Sequence, residues 1–237
     1  MSVIWHDLEC GSYTEDLDLW RELAREHGEP ILDVGAGTGR IALDLARRGH
    51  RVMALDLDRV LLDELERRAS GLPLQAVRGD ARELDLDERF GLCIVPMQTI
   101  QLLGGRDGRR AFLAAARRHL SPEGLLAIAL SEELETFEVP EGARGPVPDI
   151  CELDGVVYSS LPTAVRADGD GFVLERRREI VSSTGNRSVE EDRIRLDRVS
   201  PETLEHEAAE AGYTPHRRRE VPATRDYAGS TVVILRA

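Results

Sequence analysis

The 237-residue sequence contains no lysine, so all 31 of its basic residues are arginine. The absence of lysine excludes a Schiff-base or general-base lysine from any mechanism. The 44 acidic residues give a formal net charge of -13. Because nucleic-acid binders usually carry a basic domain or stripe, we expect no nucleic-acid partner. The arginine runs at 176–178 and 217–219 are interpreted as solvated strand edges or local ion pairs.

Cysteine is also scarce, and long apolar runs are absent. The cysteines, Cys10, Cys93 and Cys151, lie far apart and form no C-x-x-C pair. This pattern supports neither a disulfide framework nor a zinc site, so we predict no protein-bound metal. No stretch approaches the roughly 20 apolar residues of a membrane span, and residues 1–10 do not resemble a secretion signal. We therefore expect no membrane partner and a reducing, cytoplasmic setting.

The first two thirds of the chain alternate short apolar runs with amphipathic stretches. The predicted strands cover 30–34, 51–55, 72–77, 90–96 and 125–130. The predicted helices cover 40–48, 58–69 and 109–120. This alternation indicates βαβ units and an α/β fold with a doubly wound, mostly parallel sheet. The near-continuous apolar strands indicate that helices cover both faces of the sheet.

The pattern changes after the Pro- and Gly-rich segment 139–148. Strand-like runs without intervening helices follow at about 155–165, 171–182 and 187–199. Turn sequences such as Asp168-Gly169-Asp170-Gly171 separate these runs and predict an antiparallel β meander. Ser200 and Pro201 then begin a further helix that ends near Gly212. The β-branched run 230–235 is predicted to be a central strand.

The most informative segment is Asp33–Gly39 (DVGAGTG), between the first predicted strand and the first predicted helix. Glycines permit a tight turn and a close approach of a ligand to the backbone. The spacing is G-x-G-x-G rather than the dinucleotide pattern G-x-G-x-x-G. Asp33 would be costly beside a pyrophosphate but suits a cationic ligand. S-adenosylmethionine carries an ammonium and a sulfonium group and no phosphate.

Asp33–Gly39 resembles motif I, D/E-x-G-x-G-x-G, of the class I S-adenosylmethionine-dependent methyltransferases. Further segments resemble the family's motifs in the same order. Asp56 ends the second strand, where the family places a ligand of the ribose diol. Asp80, within Arg78-Gly79-Asp80-Ala81, follows the third strand, where the family has an acceptor for the adenine amino group. Residues 90–101 correspond to the fourth strand and motif IV, and 120–125 to the entry to the fifth strand.

The resemblance implies a Rossmann-like, seven-stranded sheet with an inserted antiparallel meander, and S-adenosylmethionine as the cofactor. The implied cofactor-binding residues are Asp33, Gly35, Ala36, Gly37, Gly39, Asp56, Leu57, Asp80, Ala81, Pro96, Met97, Gln98 and Tyr13. We expect one domain over 1–237, with a cofactor-binding core at 28–130. The insertion at 150–199 would form a lid or acceptor wall, and a homodimer is an open alternative to a monomer.

Several of these residues also have a purely structural interpretation. Asp56 could be a strand-end acid without a ligand, and Asp80 could cap a loop. Residues 96–98 could be a helix entry. Tyr13 and the stretch 16–25 could belong to a simple covering helix, in which Trp20 is a core residue.

The acceptor is less constrained than the cofactor. The sequence Val95-Pro96-Met97-Gln98 differs from the [D/N]-P-P-[Y/F/W] of many adenine and glutamine N-methyltransferases. Together with the acidic charge, this favours a small-molecule acceptor. No catalytic residue is identified, because methyl transfer mainly requires alignment of the acceptor with the methyl group.

Side chains that could face the acceptor or handle a proton are Gln98, Gln101, Tyr13, His6 and Glu132. Gln98 and Gln101 could equally be surface residues on a helix. Two other functions stay open. One is a nicotinamide-dependent oxidoreductase, since Asp56 would suit the ribose of either cofactor. The other is a non-catalytic module that binds S-adenosylmethionine.

Overall fold

The computed structural model describes residues 3–140, 142–143, 145–224 and 227–237. The chain divides into two compact units. The larger unit comprises mainly Tyr13–Glu132 and Val199–Ala237, and the smaller unit comprises Ile4–Ser12 and Glu133–Arg198. No helix among the described residues is long and apolar enough to cross a membrane. The prediction of one domain over 1–237 stays a prediction.

The strands and helices are numbered along the chain. The strands are β1 (Ile31–Val34), β2 (Val52–Asp56), β3 (Leu74–Arg78), β4 (Phe90–Val95), β5 (Leu120–Leu130), β6 (Phe137–Glu138), β7 (Asp149–Leu153), β8 (Val156–Asp168), β9 (Gly171–Val181), β10 (Arg187–Asp197), β11 (Thr214–Val221) and β12 (Ser230–Arg236). The helices are α1 (Val3–Cys10), α2 (Leu17–His27), α3 (Arg40–Arg47), α4 (Arg59–Arg68), α5 (Gly105–Arg118) and α6 (Pro201–Glu210).

The larger unit is built on a seven-stranded sheet with the order β11-β12-β5-β4-β1-β2-β3. The neighbours among β1 to β5 pair in parallel, whereas β12 pairs antiparallel with both β5 and β11. The sheet therefore confirms the predicted α/β class, and β12 is the central strand that the run 230–235 predicted. Successive strand residues face opposite sides of the sheet.

Each face of this sheet carries its own buried layer. On one face, Trp20 of α2, Leu45 of α3 and Leu65 of α4 pack in one cluster with alternate strand residues such as Ile31. On the other face, Phe112 of α5 and Leu204 of α6 pack with the intervening residues, which include the predicted core residue Cys93. The sheet is thus covered on both sides, as its apolar strands predicted.

Helices α4 and α6 begin directly after the capping residues that the sequence predicted. The Asp58 side chain accepts a hydrogen bond from the Val60 N–H at 2.9 Å and caps α4. Ser200 caps α6 by accepting from the Thr203 N–H at 3.1 Å. Both caps satisfy backbone donors that the first helical turn leaves unpaired.

Two other boundaries differ from prediction. Helix α5 begins at Gly105, before the predicted start at Arg109. Glycines disfavour a helix interior, but a Cβ at Gly108 would lie 1.8 Å from the Leu103 carbonyl oxygen, so close packing requires glycine there. Strand β5 already begins at Leu120 and accommodates Glu123 with a positive φ of 65°.

Strand β11 was not predicted. Its sequence, TPHRRREV, has too few apolar residues for a buried strand, and it lies at the edge of the sheet. The arginines of this strand pair with glutamates of neighbouring helices, as Arg219 does with Glu22 at 2.7 Å and Arg218 with Glu205 at 2.7 Å. Charged side chains are a common feature of edge strands because they discourage pairing with other chains.

The smaller unit contains an antiparallel sheet with the order β10-β9-β8-β6, in which β7 also pairs with β8. The pairings of β8, β9 and β10 confirm the predicted meander, whereas β6 and β7 were not predicted. Within the unit, Glu9 of α1 is buried and binds the guanidinium of Arg178 at 2.8 Å and 2.9 Å. The lid or acceptor-wall role of 150–199 stays a prediction.

Candidate functional site

The candidate site lies where the order of strands reverses. Strand β1 pairs with β2 on one side and with β4 on the other. Strands β2 and β3 therefore extend the sheet in one direction from β1, and β4 and β5 extend it in the other. In open α/β sheets, ligands bind in the crevice at the carboxyl ends of the strands beside such a reversal. The loop 35–39 leaves β1 at this edge and leads into α3, and the segment 96–98 follows β4 beside it.

The glycines of this loop are needed for two separate reasons. Gly35, Gly37 and Gly39 have positive φ values of 74°, 56° and 93°. A Cβ at Gly35 would lie 2.6 Å from the Thr99 Cγ2 atom, and one at Gly39 would lie 2.2 Å from the Leu65 Cδ1 atom. The backbone conformation favours glycine at all three positions, and the packing of neighbouring side chains also favours it at Gly35 and Gly39.

Asp56, at the end of the adjacent strand β2, binds the backbone of the glycine loop 35–39. Its Oδ2 atom accepts from the Gly37 N–H at 2.8 Å, and its Oδ1 atom accepts from the Asp58 N–H at 2.9 Å. A carboxylate has about four lone-pair positions, so these bonds leave capacity for about two further donors. Leu57, directly after it, is 60% exposed. The geometry suits a ligand with a vicinal diol.

Asp80 caps a short 3-10 turn, Ala81–Glu83, at the end of β3. Its Oδ1 atom accepts from the Arg82 N–H at 2.9 Å, and its Oδ2 atom pairs with the guanidinium of the same arginine at 2.6 Å. The hydrogen bond from this guanidinium lowers the pKa of Asp80. The structure thus shows the capping role that the sequence left open, and Ala81 is buried beside it.

The segment after β4 is held to the end of β5. Pro96 is buried, and Met97 adopts a positive φ of 54°, which is uncommon outside glycine. The Gln98 amide donates to the Ser131 hydroxyl at 3.2 Å. Gln101 is buried and exchanges two hydrogen bonds with the Ser131 backbone, at 3.0 Å and 2.9 Å. Of the two alternatives left open for Gln101, the surface position is excluded: its buried amide connects the turn after β4 to the residue that follows β5.

Asp33 is buried beneath the loop. Only 1% of the residue is exposed, and burial raises the pKa of its carboxyl group to about 7 although Arg40 opposes the shift. Its Oδ1 atom has no hydrogen-bond partner. Arg40 directs two nitrogens at the Asp16 carboxylate instead, at 2.6 Å and 2.8 Å.

Tyr13 contacts the same arginine, Arg40, through its carbonyl group and its ring. The Arg40 guanidinium donates to the Tyr13 carbonyl at 2.9 Å and lies 5.0 Å from the centre of its ring. The ring of Tyr227 is 4.9 Å from that of Tyr13. Burial raises the pKa of the Tyr13 hydroxyl to about 12, so this group is neutral near pH 7. Arg40 thus joins the segment before α2 to the start of α3.

The sequence interpretation missed Arg40, Thr99 and Ser131. Arg40 directly follows the glycine loop, which was the one local indication of its importance, but its partner Asp16 is remote in sequence. Of the other suggested groups, His6 lies on α1 of the smaller unit, and Glu132 is exposed two residues after the end of β5. The described residues include no group of three or more His, Cys, Asp or Glu placed to hold a metal ion.

Sequence comparison finds methyltransferases. Residues 31–124 match the family model of methyltransferase domains. The chain is 34% identical to the cypemycin N-terminal methyltransferase of Streptomyces sp over 117 residues, which are 49% of this chain and 48% of that protein. It is 29% identical to the ribosomal RNA small subunit methyltransferase A of Anaeromyxobacter dehalogenans, over 89% of this chain and 85% of that protein. The chain spans about half the length of the first curated relatives that it matches.

Comparison with solved structures finds the same fold. The S-adenosylmethionine-bound structure of CalS10, an amino pentose methyltransferase from Micromonospora echinaspora, superposes with a TM-score of 0.72. The two sequences are 22% identical, and the match covers 98% of this chain and 96% of that one. The Rossmann-like fold is therefore shared over nearly the full length of both chains.

Proposed function

We propose that this chain, whose residues 31–124 match the family model of methyltransferase domains, is a class I S-adenosylmethionine-dependent enzyme that transfers a methyl group to a small-molecule acceptor. One observation carries the proposal. Beside β1, where the strand order reverses, the Asp56 carboxylate accepts a hydrogen bond from the Gly37 N–H and can accept about two more. The adjoining loop has no room for side chains at Gly35 and Gly39, where added Cβ atoms would collide with packed side chains.

The residues at this edge fit S-adenosylmethionine in chemistry and in position. We assign Asp56 and Leu57 to the ribose, and Asp80 and Ala81 to the adenine. The loop residues Gly35, Ala36, Gly37 and Gly39, with Asp33 and Tyr13, would lie at the amino-acid end, and Pro96, Met97 and Gln98 would border the transferred methyl group. When bound, the cofactor supplies a methyl group on a positively charged sulfur, which is a good leaving group. The chain's own task is then to orient the acceptor and exclude water.

The acceptor class rests on charge and on relatives. A net charge of -13 disfavours contact with a polyanion, and the relatives include an enzyme named for an amino-terminal acceptor and one named for an amino pentose. A relative that matches 89% of this chain is instead named for ribosomal RNA. We therefore take small amines as the first acceptor class to test and small-subunit ribosomal RNA as its competitor.

Cofactor binding is tested first, by calorimetry with S-adenosylhomocysteine and with NAD. We expect S-adenosylhomocysteine alone to bind. Binding of NAD alone would refute the proposal in favour of an oxidoreductase. Gly37→Val should abolish binding, because valine would adopt a positive φ poorly and would fill the loop. Gly49→Val is the matched control, since Gly49 has a φ of 94° at the end of α3 and open space around it.

Turnover is tested with S-adenosylmethionine labelled in its methyl group. The labelled cofactor is incubated with a pool of small amines, with a cellular metabolite extract and with small-subunit ribosomal RNA. We expect label in the small-molecule fractions. Label in RNA alone would overturn the acceptor class, and tight binding without any labelled product would favour a non-catalytic module.

A further inference from the structure

The buried carboxyl group of Asp33 has surroundings that do not match an ionised state. It lies at the end of β1, two positions before Gly35, and is 1% exposed. Its Oδ1 atom is buried without a hydrogen-bond partner. An ionised carboxylate is costly to bury unless a cation and hydrogen bonds compensate it. The described residues leave one of its two oxygens without such compensation.

The groups around this carboxyl either favour its ionisation, oppose it, or carry no charge. From α3, the charge of Arg40 and the N–H of Ala42 favour ionisation, but two nitrogens of Arg40 bind the Asp16 carboxylate. Asp16, before α2, and Asp56, at the end of β2, oppose ionisation through their negative charges. From β4 comes the thiol of Cys93, whose pKa burial raises far above its usual value, so it carries no charge.

We propose that Asp33 exchanges a proton with the solvent when the glycine loop is free, and that it is held in the ionised form when the cationic amino-acid end of S-adenosylmethionine binds there. This inference rests on the proposed function, since it requires a cationic ligand at the loop. The O–H bond of the carboxyl group breaks, the proton passes to the solvent, and the carboxylate gains the cation that its unpaired oxygen lacks. Binding and proton release are then linked, so a higher pH strengthens binding.

The test is calorimetry with S-adenosylhomocysteine, which keeps the amino-acid end and its ammonium group. Titrations at one pH in buffers of different ionisation enthalpy give the number of protons released. Because the carboxyl group has a pKa of about 7 in the free protein, we expect release of about half a proton near pH 7. The affinity should rise about tenfold between pH 6 and pH 8. Absence of proton release from the wild type would overturn the inference.

Two variants identify the group that titrates. Asp33→Asn should bind with no proton release and with a flat affinity between pH 6 and pH 8. Asp56→Asn is the matched control: it alters a neighbouring carboxylate and should weaken binding while proton release persists. Release that survives in Asp33→Asn, or that disappears in Asp56→Asn alone, would assign the proton to another group and refute the proposal.

A second measurement covers the case in which Asp33→Asn fails to fold or bind. Infrared difference spectra of the wild type, with and without S-adenosylhomocysteine, should show loss of a protonated carboxyl C=O band. Persistence of that band would contradict the proposal. Failure of the wild type to bind S-adenosylhomocysteine at all would instead refute the proposed function, so the two failures are distinguishable.

Discussion

Gly35→Ala tests whether the loop needs glycine for its backbone, for its packing, or for both. At a φ of 74°, a Cβ costs about 1–2 kcal/mol through its clash with the local backbone. The same Cβ would lie 2.6 Å from Thr99 Cγ2 and 2.7 Å from Thr99 Oγ1. Overpacking of this kind costs about 1–3 kcal/mol. We therefore expect the free energy of unfolding to fall by about 2–5 kcal/mol in total.

Denaturant unfolding of a set of variants separates these contributions. Gly49→Ala places a Cβ at a φ of 94° with nothing within 4 Å, so it should show the backbone cost alone. Thr99→Ala removes both of the closest atoms, so adding it to Gly35→Ala should recover the packing cost and leave a deficit like that of Gly49→Ala. If Gly35→Ala costs no more than Gly49→Ala, or if Thr99→Ala recovers nothing, the packing argument is refuted.

Three further predictions concern Asp56, Asp58 and the buried pair Arg109–Glu207. Asp56→Ala should weaken binding of S-adenosylhomocysteine at least about tenfold, because hydrogen bonds to a charged group contribute about 1.5–3 kcal/mol each; unchanged affinity by calorimetry would exclude the ribose role. Asp58→Ala should lower stability by about 1 kcal/mol through loss of the α4 cap, and a thermal unfolding curve identical to that of the wild type would contradict this. Arg109→Ala leaves Glu207, which is 2% exposed, as an unpaired buried charge, so denaturant unfolding should show a loss of about 3–5 kcal/mol. The loss should be smaller in Arg109→Met with Glu207→Leu, and an equal loss in the double variant would argue against an unpaired charge as the cause.

The parts of the fold that the sequence predicted are those fixed by local residue patterns. The apolar runs identified β1, β2, β4 and β5 because a buried parallel strand requires apolar side chains on both faces. Strand β3 was also predicted, although it lies at the edge of the sheet and none of its residues is fully buried. Asp58 and Ser200 identified helix starts because a cap acts within its own first turn. The glycine loop and Asp56 could be placed at one edge because the carboxyl ends of parallel strands meet there.

The missed features depend on partners that are distant in sequence. The residues around Gln101 in the sequence allowed two interpretations, but its amide is bound to the backbone of Ser131, which follows β5. The bond between Arg40 and Asp16 connects residues that no local pattern relates. Strand β11 forms because β12 lies beside it and glutamates of α2 and α6 neutralise its arginines. Periodicity carries no information about such partners.

Asp56 has a structural role in the loop and a proposed role in binding the ribose, and its variants test the two roles to different extents. Its two oxygens already accept the Gly37 and Asp58 N–H groups, so the side chain shapes the loop before any ligand arrives. Asp56→Ala removes both this support and the proposed contact with the ribose. Asp56→Asn keeps one oxygen acceptor and a similar shape, so it retains part of the support. If Asp56 acts mainly as a ligand, the two variants should lose similar affinity; if it acts mainly by preorganising the loop, the alanine variant should lose markedly more.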